Sequence, residues 1–301
     1  MARLECPNYI RAILIILSAV SFLPQLVRLW SRKTPTGYST GYVLLNLFAA
    51  TEQLTIDVFW MFIVPEDAGG DFIQHPLSTG DWINFAQILT VWVAFNALFI
   101  TCLSLQPLGT PISGYITAYT LYILISIIPS LIFIQNPSPS TTTDLLQGFI
   151  GVHIPFLKPV TTFLIAISAL CQTGPIWRYP GPNDSSLSLL GLFTQCLVFG
   201  SLGTSWLWRV GEYHRGGWTW ASDEWEWYWS IGWPIVDGFL FGSVQGVLGC
   251  CVLFNRLKGW RQRWREGKGV GVEGEEENEG GDDEVEATAG EREPLLRGSR
   301  S

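Results

Sequence analysis

Charge is what this sequence has least of. Asp, Glu, Lys and Arg make up 15% of its 301 residues, against about a quarter in soluble domains, so the composition points away from that class. Histidine is rarer still. His75, His153 and His214 fall in separate stretches between apolar runs, which leaves no Ser-His-Asp or metal-binding constellation and argues against an enzyme. No glycine-rich nucleotide loop ending in Lys-Ser or Lys-Thr is present, so ATP is not the expected energy source. The six cysteines follow no metal-type spacing. Cys102, Cys171, Cys196, Cys250 and Cys251 lie inside apolar runs and only Cys6 lies outside, and in such runs a thiol acts as a small hydrophobe. Neither a disulfide framework nor a cofactor is expected. The formal net charge of −8 says little about a ligand, because residues 255–301 alone hold 12 of the 26 acidic and 9 of the 18 basic side chains. No nucleic-acid partner is expected.

What the chain does have is long apolar runs. A helix crossing the hydrocarbon core needs roughly 20 mostly apolar residues, and seven segments qualify, at about 9–30, 40–64, 82–105, 113–135, 157–179, 187–208 and 229–254. The expected fold is an all-α membrane protein of seven transmembrane helices in contact with lipid. The first segment runs into Pro24-Gln25-Leu26-Val27-Arg28 without a small-residue cleavage site, so it reads as a retained helix and not as a signal peptide. Lys and Arg are retained on the cytosolic side of a membrane. With a lumenal N-terminus the cytosolic segments carry Arg28, Arg32, Lys33, Arg178, Arg256, Lys258, Arg261, Arg263, Arg265 and Lys268. The opposite side then carries only Arg3, Arg11, Lys158, Arg209 and Arg215, and the C-terminus is cytosolic. The last segment lacks a lysine for a Schiff base, and the third ends in Thr101-Cys102-Leu103-Ser104 without an acidic-arginine pair. Both features weigh against a retinal or G-protein-coupled receptor.

The chain also carries a weak internal repeat, a device common in helical transporters. Ser21-Phe22-Leu23-Pro24-Gln25-Leu26 is followed by a polar turn from Ser31 to Ser39 and the second helix. Cys171-Gln172-Thr173-Gly174-Pro175-Ile176 is followed by a polar turn with Pro180, Pro182 and Asp184 and the sixth helix. The two prolines predict two parallel three-helix units joined by helix 4. The expected division is 1–105, 106–155 with the linking helix and a lumenal loop, 156–254, and a disordered cytosolic tail at 255–301. On these residues the sequence resembles the PQ-loop repeat family, which includes cystinosin-like lysosomal exporters and is related in fold to the SWEET sugar transporters. Pro24-Gln25 with Lys33, Gly37 and Ser39 matches the family motif well. The second copy keeps Pro175 but has Ile176 where glutamine is frequent. The resemblance implies a transporter of a small solute. The Gly-Asp pair of the lysosomal amino-acid exporters is replaced here by Ala49-Ala50-Thr51-Glu52-Gln53, so their cationic substrates do not carry over.

Proline inside a helix removes a backbone hydrogen bond and crowds the preceding turn, so Pro24 and Pro175 are hinge candidates at matching depths, with Gln25 set to bond a freed carbonyl or the solute. An ionisable side chain in hydrocarbon costs about 2.5–3.5 kcal/mol on insertion scales and therefore marks a cavity or a partner. Glu52, at the middle of helix 2, and Asp57 and Asp237, each about two turns from a lumenal end, are the candidates for a proton or substrate site. Asn46, Gln53 and Asp57 share one face of helix 2, and Glu52 points away from it. Each carboxyl has a plain structural reading as well, through lumenal water or a bond to a neighbouring helix. Asn84, Gln87, Asn96, Gln172, Gln195 and Gln245 are further polar groups for the same cavity or for helix packing. Gly238, Gly242 and Gly246 give helix 7 a flat packing face. Eight tryptophans between Trp206 and Trp233 suggest a lumenal interfacial belt.

The tail ends in Glu291-Arg292-Glu293-Pro294-Leu295-Leu296, which resembles the acidic dileucine signal read by clathrin-type adaptors. Together these features predict a secondary transporter of a small polar solute, of amino-acid or sugar type, in a vacuolar or lysosomal membrane, with proton coupling left open. The alternative is a non-transporting receptor or sorting protein on the same seven helices.

Overall fold

The computed structural model describes residues 6–63, 73, 76–135, 147–179, 185–210, 227–228 and 232–269. They form helices α1 (Asn8–Arg32), α2 (Thr40–Phe62), α3 (Thr79–Ser104), α4 (Ser113–Gln135), α5 (Lys158–Arg178), α6 (Leu189–Val210) and α7 (Trp233–Gly269). A π-helical turn, His153–Leu157, leads directly into α5. Among the described residues there is no strand. Among the described residues six helices are long and apolar enough to cross a membrane, namely Asn8–Arg32, Thr79–Ser104, Ser113–Ile132, Gln147–Arg178, Leu189–Trp208 and Trp233–Arg261. The chain is an all-α, multi-pass membrane protein.

The exception is α2, which carries Asn46, Glu52, Gln53 and Asp57. It is also the shielded helix: 16 of its 23 residues are buried, against 6 of 25 in α1. Helices α3, α4 and α5 all pack on it. Polar side chains at membrane depth must face protein and not lipid, and α2 meets that demand by lying inside the bundle. Its start is set locally, because the Ser39 hydroxyl accepts from the Tyr42 backbone N–H at 3.2 Å, a standard cap for an orphan donor. Ser78 and Asp81 form a capping box at the start of α3.

The turn between α1 and α2 closes through Lys33 at φ 53° and Gly37 at φ 78°. A side chain at Gly37 would also run into Ser185 of the turn between α5 and α6, so the two polar turns touch at the glycine. The glycine face expected on α7 packs on α6. A Cβ at Gly242 would stand 3.1 Å from both the Cys196 carbonyl oxygen and the Gly200 nitrogen, which is backbone-to-backbone packing that only small residues permit. Between these contacts, Phe22, Phe95, Phe241 and Phe199 of α1, α3, α7 and α6 form a closed ring of edge-to-face pairs with centroids 4.5–6.1 Å apart. Each such pair adds about 0.5–1.5 kcal/mol beyond its burial.

Two expected boundaries shift. Helix begins again at 147, so the membrane-length helix Gln147–Arg178 starts ahead of the boundary expected at 156. Pro155 and Pro159 do not break it, because the π-helical turn and the first turn of α5 take them in. Helix α7 does not stop at 254 but continues to Gly269 through the basic stretch. The contacts separate a unit of Met1–Gly259 from one of Trp260–Ser301, and the second contains the end of α7. The tryptophan-rich stretch 211–226 and the tail from 270, with Glu291, Leu295 and Leu296, lie outside the described residues. All six cysteines are free thiols.

Candidate functional site

Helices α1 and α5 bury the same pattern. In α1 the buried positions include Leu14, Ser18, Ser21, Gln25 and Leu29, and in α5 Thr161, Ile165, Ser168, Gln172 and Ile176, each 147 positions further on. Local bonding recurs with them. The Ser21 hydroxyl donates to the Ser18 carbonyl at 2.7 Å, and the Ser168 hydroxyl donates to the Ile165 carbonyl at 2.7 Å. Gln172 therefore stands where Gln25 stands, and Ile176 corresponds to the apolar Leu29. Pro175 lies one turn beyond the counterpart of Pro24, so the two prolines are not at matching depths as the sequence suggested.

The two glutamines do the same work in exchange. Gln25 donates from Nε2 to the Ser186 carbonyl at 3.0 Å and accepts at Oε1 from the Ser188 N–H at 2.8 Å. Gln172 donates to the Gly37 carbonyl at 2.9 Å and accepts from the Ser39 N–H at 2.9 Å. Each helix thus clasps the turn that leads into the second helix of the other half. A primary amide has both donor and acceptor at one end, so glutamine can hold a carbonyl and an N–H together where isoleucine cannot. Arg28 adds bonds from its guanidinium to the Ser185 carbonyl at 3.0 and 3.3 Å, and Arg256 one to the Leu187 carbonyl at 3.1 Å. On this face an open cleft of about 970 Å³ is lined by, among others, Lys33, Gly37, Tyr38, Gln106, Pro175 and Arg178. Burial raises the Tyr38 phenol well above its usual pKa, so it meets the cleft as a neutral hydroxyl.

A second, interior cavity of about 40 Å³ lies deeper in the bundle, and it shares no lining residue with the cleft. Its polar lining is Asn46 and Gln53 of α2, Gln87 of α3 and Asp237 of α7; Phe95, Phe199, Trp206, Trp233 and Phe241 supply aromatic walls. Gln53 donates to Asp237 Oδ2 at 2.8 Å, and Thr162 of α5 donates to Asp237 Oδ1. The Thr162 hydroxyl also meets the Tyr228 hydroxyl at 2.7 Å. Lys158, one turn before Thr162, is buried, with its ammonium 4.7 Å from the Trp233 ring centroid and within electrostatic reach of Asp237 and Glu52. At roughly 10–15 Å³ per water, the cavity has room for about three waters in this conformation.

Of the carboxyls singled out in the sequence, Asp237 lines this cavity and the others do not. Glu52 faces another side of α2, where its Oε1 meets His153 Nδ1 at 2.8 Å and its Oε2 accepts from the Tyr122 hydroxyl at 2.9 Å. His153 stacks on Phe149 at 3.9 Å, and Phe149 on Phe59 at 4.2 Å. Asp57 is 1% exposed, and its Oδ2 has no hydrogen-bond partner. Asn46 and Gln53 are cavity residues, as their shared face with Asp57 suggested. Of the further polar candidates, only Gln87 joins them. Asn96 holds Tyr119, and Gln245 donates to the Tyr42 hydroxyl. Sequence reasoning missed His153, Lys158, Thr162, Tyr122 and Tyr228. The only signal for the first two was a charged or titratable side chain beside an apolar run.

Helices with matching buried faces, a polar cavity inside the bundle and polar turns at one end define a class of multi-pass helical membrane proteins. The family model described as PQ loop repeat matches residues 7–54, which span α1, the turn with Gly37 and most of α2. The resemblance read from Pro24-Gln25 is thereby shown over that segment. No curated protein matches the chain.

Proposed function

We propose that this protein is a secondary transporter of a small polar solute, working by rocking of α1–α3 against α5–α7 around the interior cavity, with α4 as the link. The observation that carries this reading is the cavity of Asn46, Gln53, Gln87 and Asp237, which draws its lining from both sets of helices and lies behind the reciprocal glutamine clasp. Opening toward the cleft requires the clasp to release, and Pro24 and Pro175 supply the weakened turns near which α1 and α5 bend. The cleft face carries Arg28, Arg32, Lys33, Arg178, Arg256 and Lys258 and is taken as cytosolic.

Proton coupling, where it operates, belongs to the Glu52–His153 pair. It is a carboxyl and an imidazole in direct contact, both buried. A vacuolar or lysosomal membrane is the proposed site of action, with Glu291, Leu295 and Leu296 as the adaptor-read address. No catalytic role is proposed. A cavity with room for water alone also suits a receptor or sorting protein that never opens fully, and flux separates the two readings. Proteoliposomes preloaded with unlabelled solute should take up the labelled form by counterflow, and an Asp237→Leu protein should not. Binding without any flux would favour the receptor.

A further inference from the structure

We propose that the solute admitted by this cavity is neutral and rich in hydroxyl groups, a sugar or polyol and not an amino acid or a cation, and that Lys158 is the residue that sets this charge class. The inference rests on the cavity being a solute site, and it begins with the hydrogen bonds already spent there.

Asn46 uses Nδ2 twice, donating to the Tyr42 carbonyl at 2.8 Å and to the Ser168 hydroxyl at 2.9 Å. A carbonyl can only accept, so the orientation of this amide is fixed. Its Oδ1 is left buried without a partner. Gln87, across the cavity on α3, donates from Nε2 to the Ser18 hydroxyl at 2.7 Å and leaves Oε1 buried without a partner. Asn46 and Gln87 are 1% and 2% exposed. Two shielded oxygens from different helices thus call for donors from whatever occupies the space between them.

The acidic group at the site is already engaged. Among the described residues Asp237 is the one carboxyl in the lining, and Gln53 and Thr162 each engage one of its oxygens. Thr162 and Lys158 are one turn apart on α5, as Asp237 and Trp233 are on α7. The Thr162–Asp237 bond and the Lys158–Trp233 contact therefore sit in register along the two helices. Lys158 thus brings a buried amine beside the site without lining it. A cationic solute would have to shed its water and compete with the Lys158 amine for a carboxyl already bonded to Gln53 and Thr162, and an anion would face that carboxyl. A zwitterion suffers both difficulties. A hydroxyl group carries no charge and donates as readily as it accepts, and Phe95, Phe199, Phe241, Trp206 and Trp233 offer aromatic faces to the C–H side of a sugar or polyol.

Equilibrium binding of radiolabelled glucose, sorbitol and arginine to the purified full-length protein, at one pH and ionic strength, tests the proposal. The wild type should bind glucose or sorbitol saturably and arginine not at all. Gln87→Leu should weaken that binding about tenfold or more, which corresponds to about 1.4 kcal/mol. Lys158→Gln should gain arginine binding, whereas Lys158→Arg keeps the wild-type preference. Should Lys158→Gln fail to fold, the wild type and Lys158→Arg still decide the matter. Arginine bound by the wild type as tightly as the polyols, or no saturable binding of either polyol, overturns the proposal. Polyol binding without flux in proteoliposomes would retire the transport reading and leave the ligand class standing; arginine flux would do the reverse.

Discussion

The reciprocal clasp predicts that Gln172, and not Ile176, is the partner of Gln25 in the second half. Leucine at either glutamine keeps the approximate volume and removes two hydrogen bonds. In Gln25→Leu the groups stranded are the Ser186 carbonyl and the Ser188 N–H, on residues 1% and 6% exposed. In Gln172→Leu they are the Gly37 carbonyl and the Ser39 N–H, beside the open cleft. A buried polar group left without a partner costs about 1–3 kcal/mol. The first variant should therefore lose about 4 kcal/mol, and the second, where water can reach the turn, about 2 kcal/mol. Thermal unfolding in detergent measures the loss. Hydrogen exchange locates it, since the Ser188 amide should lose protection in Gln25→Leu and the Ser39 amide in Gln172→Leu. Ile176→Gln should destabilise, because Ile176 is 2% exposed and its counterpart in α1 is a leucine. An unchanged Ser39 amide in Gln172→Leu, or a stabilised Ile176→Gln protein, would refute the register of 147 residues.

Glu52→Gln should fold and still exchange solute across a membrane but lose uptake driven by a pH gradient, and His153→Gln should behave alike; full pH-driven uptake in either would return the pair to a structural role. Gly242→Leu should abolish folded protein, because the side chain would meet the backbone of α6 at 3.1 Å, whereas Gly259→Ala, with nothing within 4 Å, should melt at or slightly above the wild-type temperature, by about 0.5–1 kcal/mol. Alanine at both Leu295 and Leu296 should send the protein to the cell surface with its fold intact, and an unchanged location would leave the tail without a sorting role.

The seven helices were legible because apolar runs of membrane length need no long-range information. Helix α2 was legible in part: of the stripe of Asn46, Gln53 and Asp57, the first two line the cavity and Asp57 does not, and Glu52 lies off it. The repeat was visible, but its register was read from the prolines, and Pro175 lies one turn past the position that matters. The period of Thr161, Ile165, Ser168, Gln172 and Ile176 carries the true alignment, and a proline is a louder signal than a buried glutamine. The partners of Glu52 and Asp237 could not be read at all. His153 lies 101 positions from Glu52 and Gln53 lies 184 from Asp237, and helical periodicity says which face a residue occupies without saying which helix faces it. His153 was further hidden because Pro155 and Pro159 make the start of Gln147–Arg178 look like a loop.

Release of the clasp during transport is tested most directly by locking it. Thr36 and Ser186 sit side by side, the Ser186 N–H donating to the Thr36 carbonyl at 2.7 Å, so cysteines at these positions can be bridged through disulfides by a short bis-methanethiosulfonate cross-linker. Counterflow in proteoliposomes should be normal before bridging, fall at least about tenfold after it, and return when reductant cleaves the link, with the native chain under the same reagents as the control. Undiminished flux through the bridged protein would contradict the account.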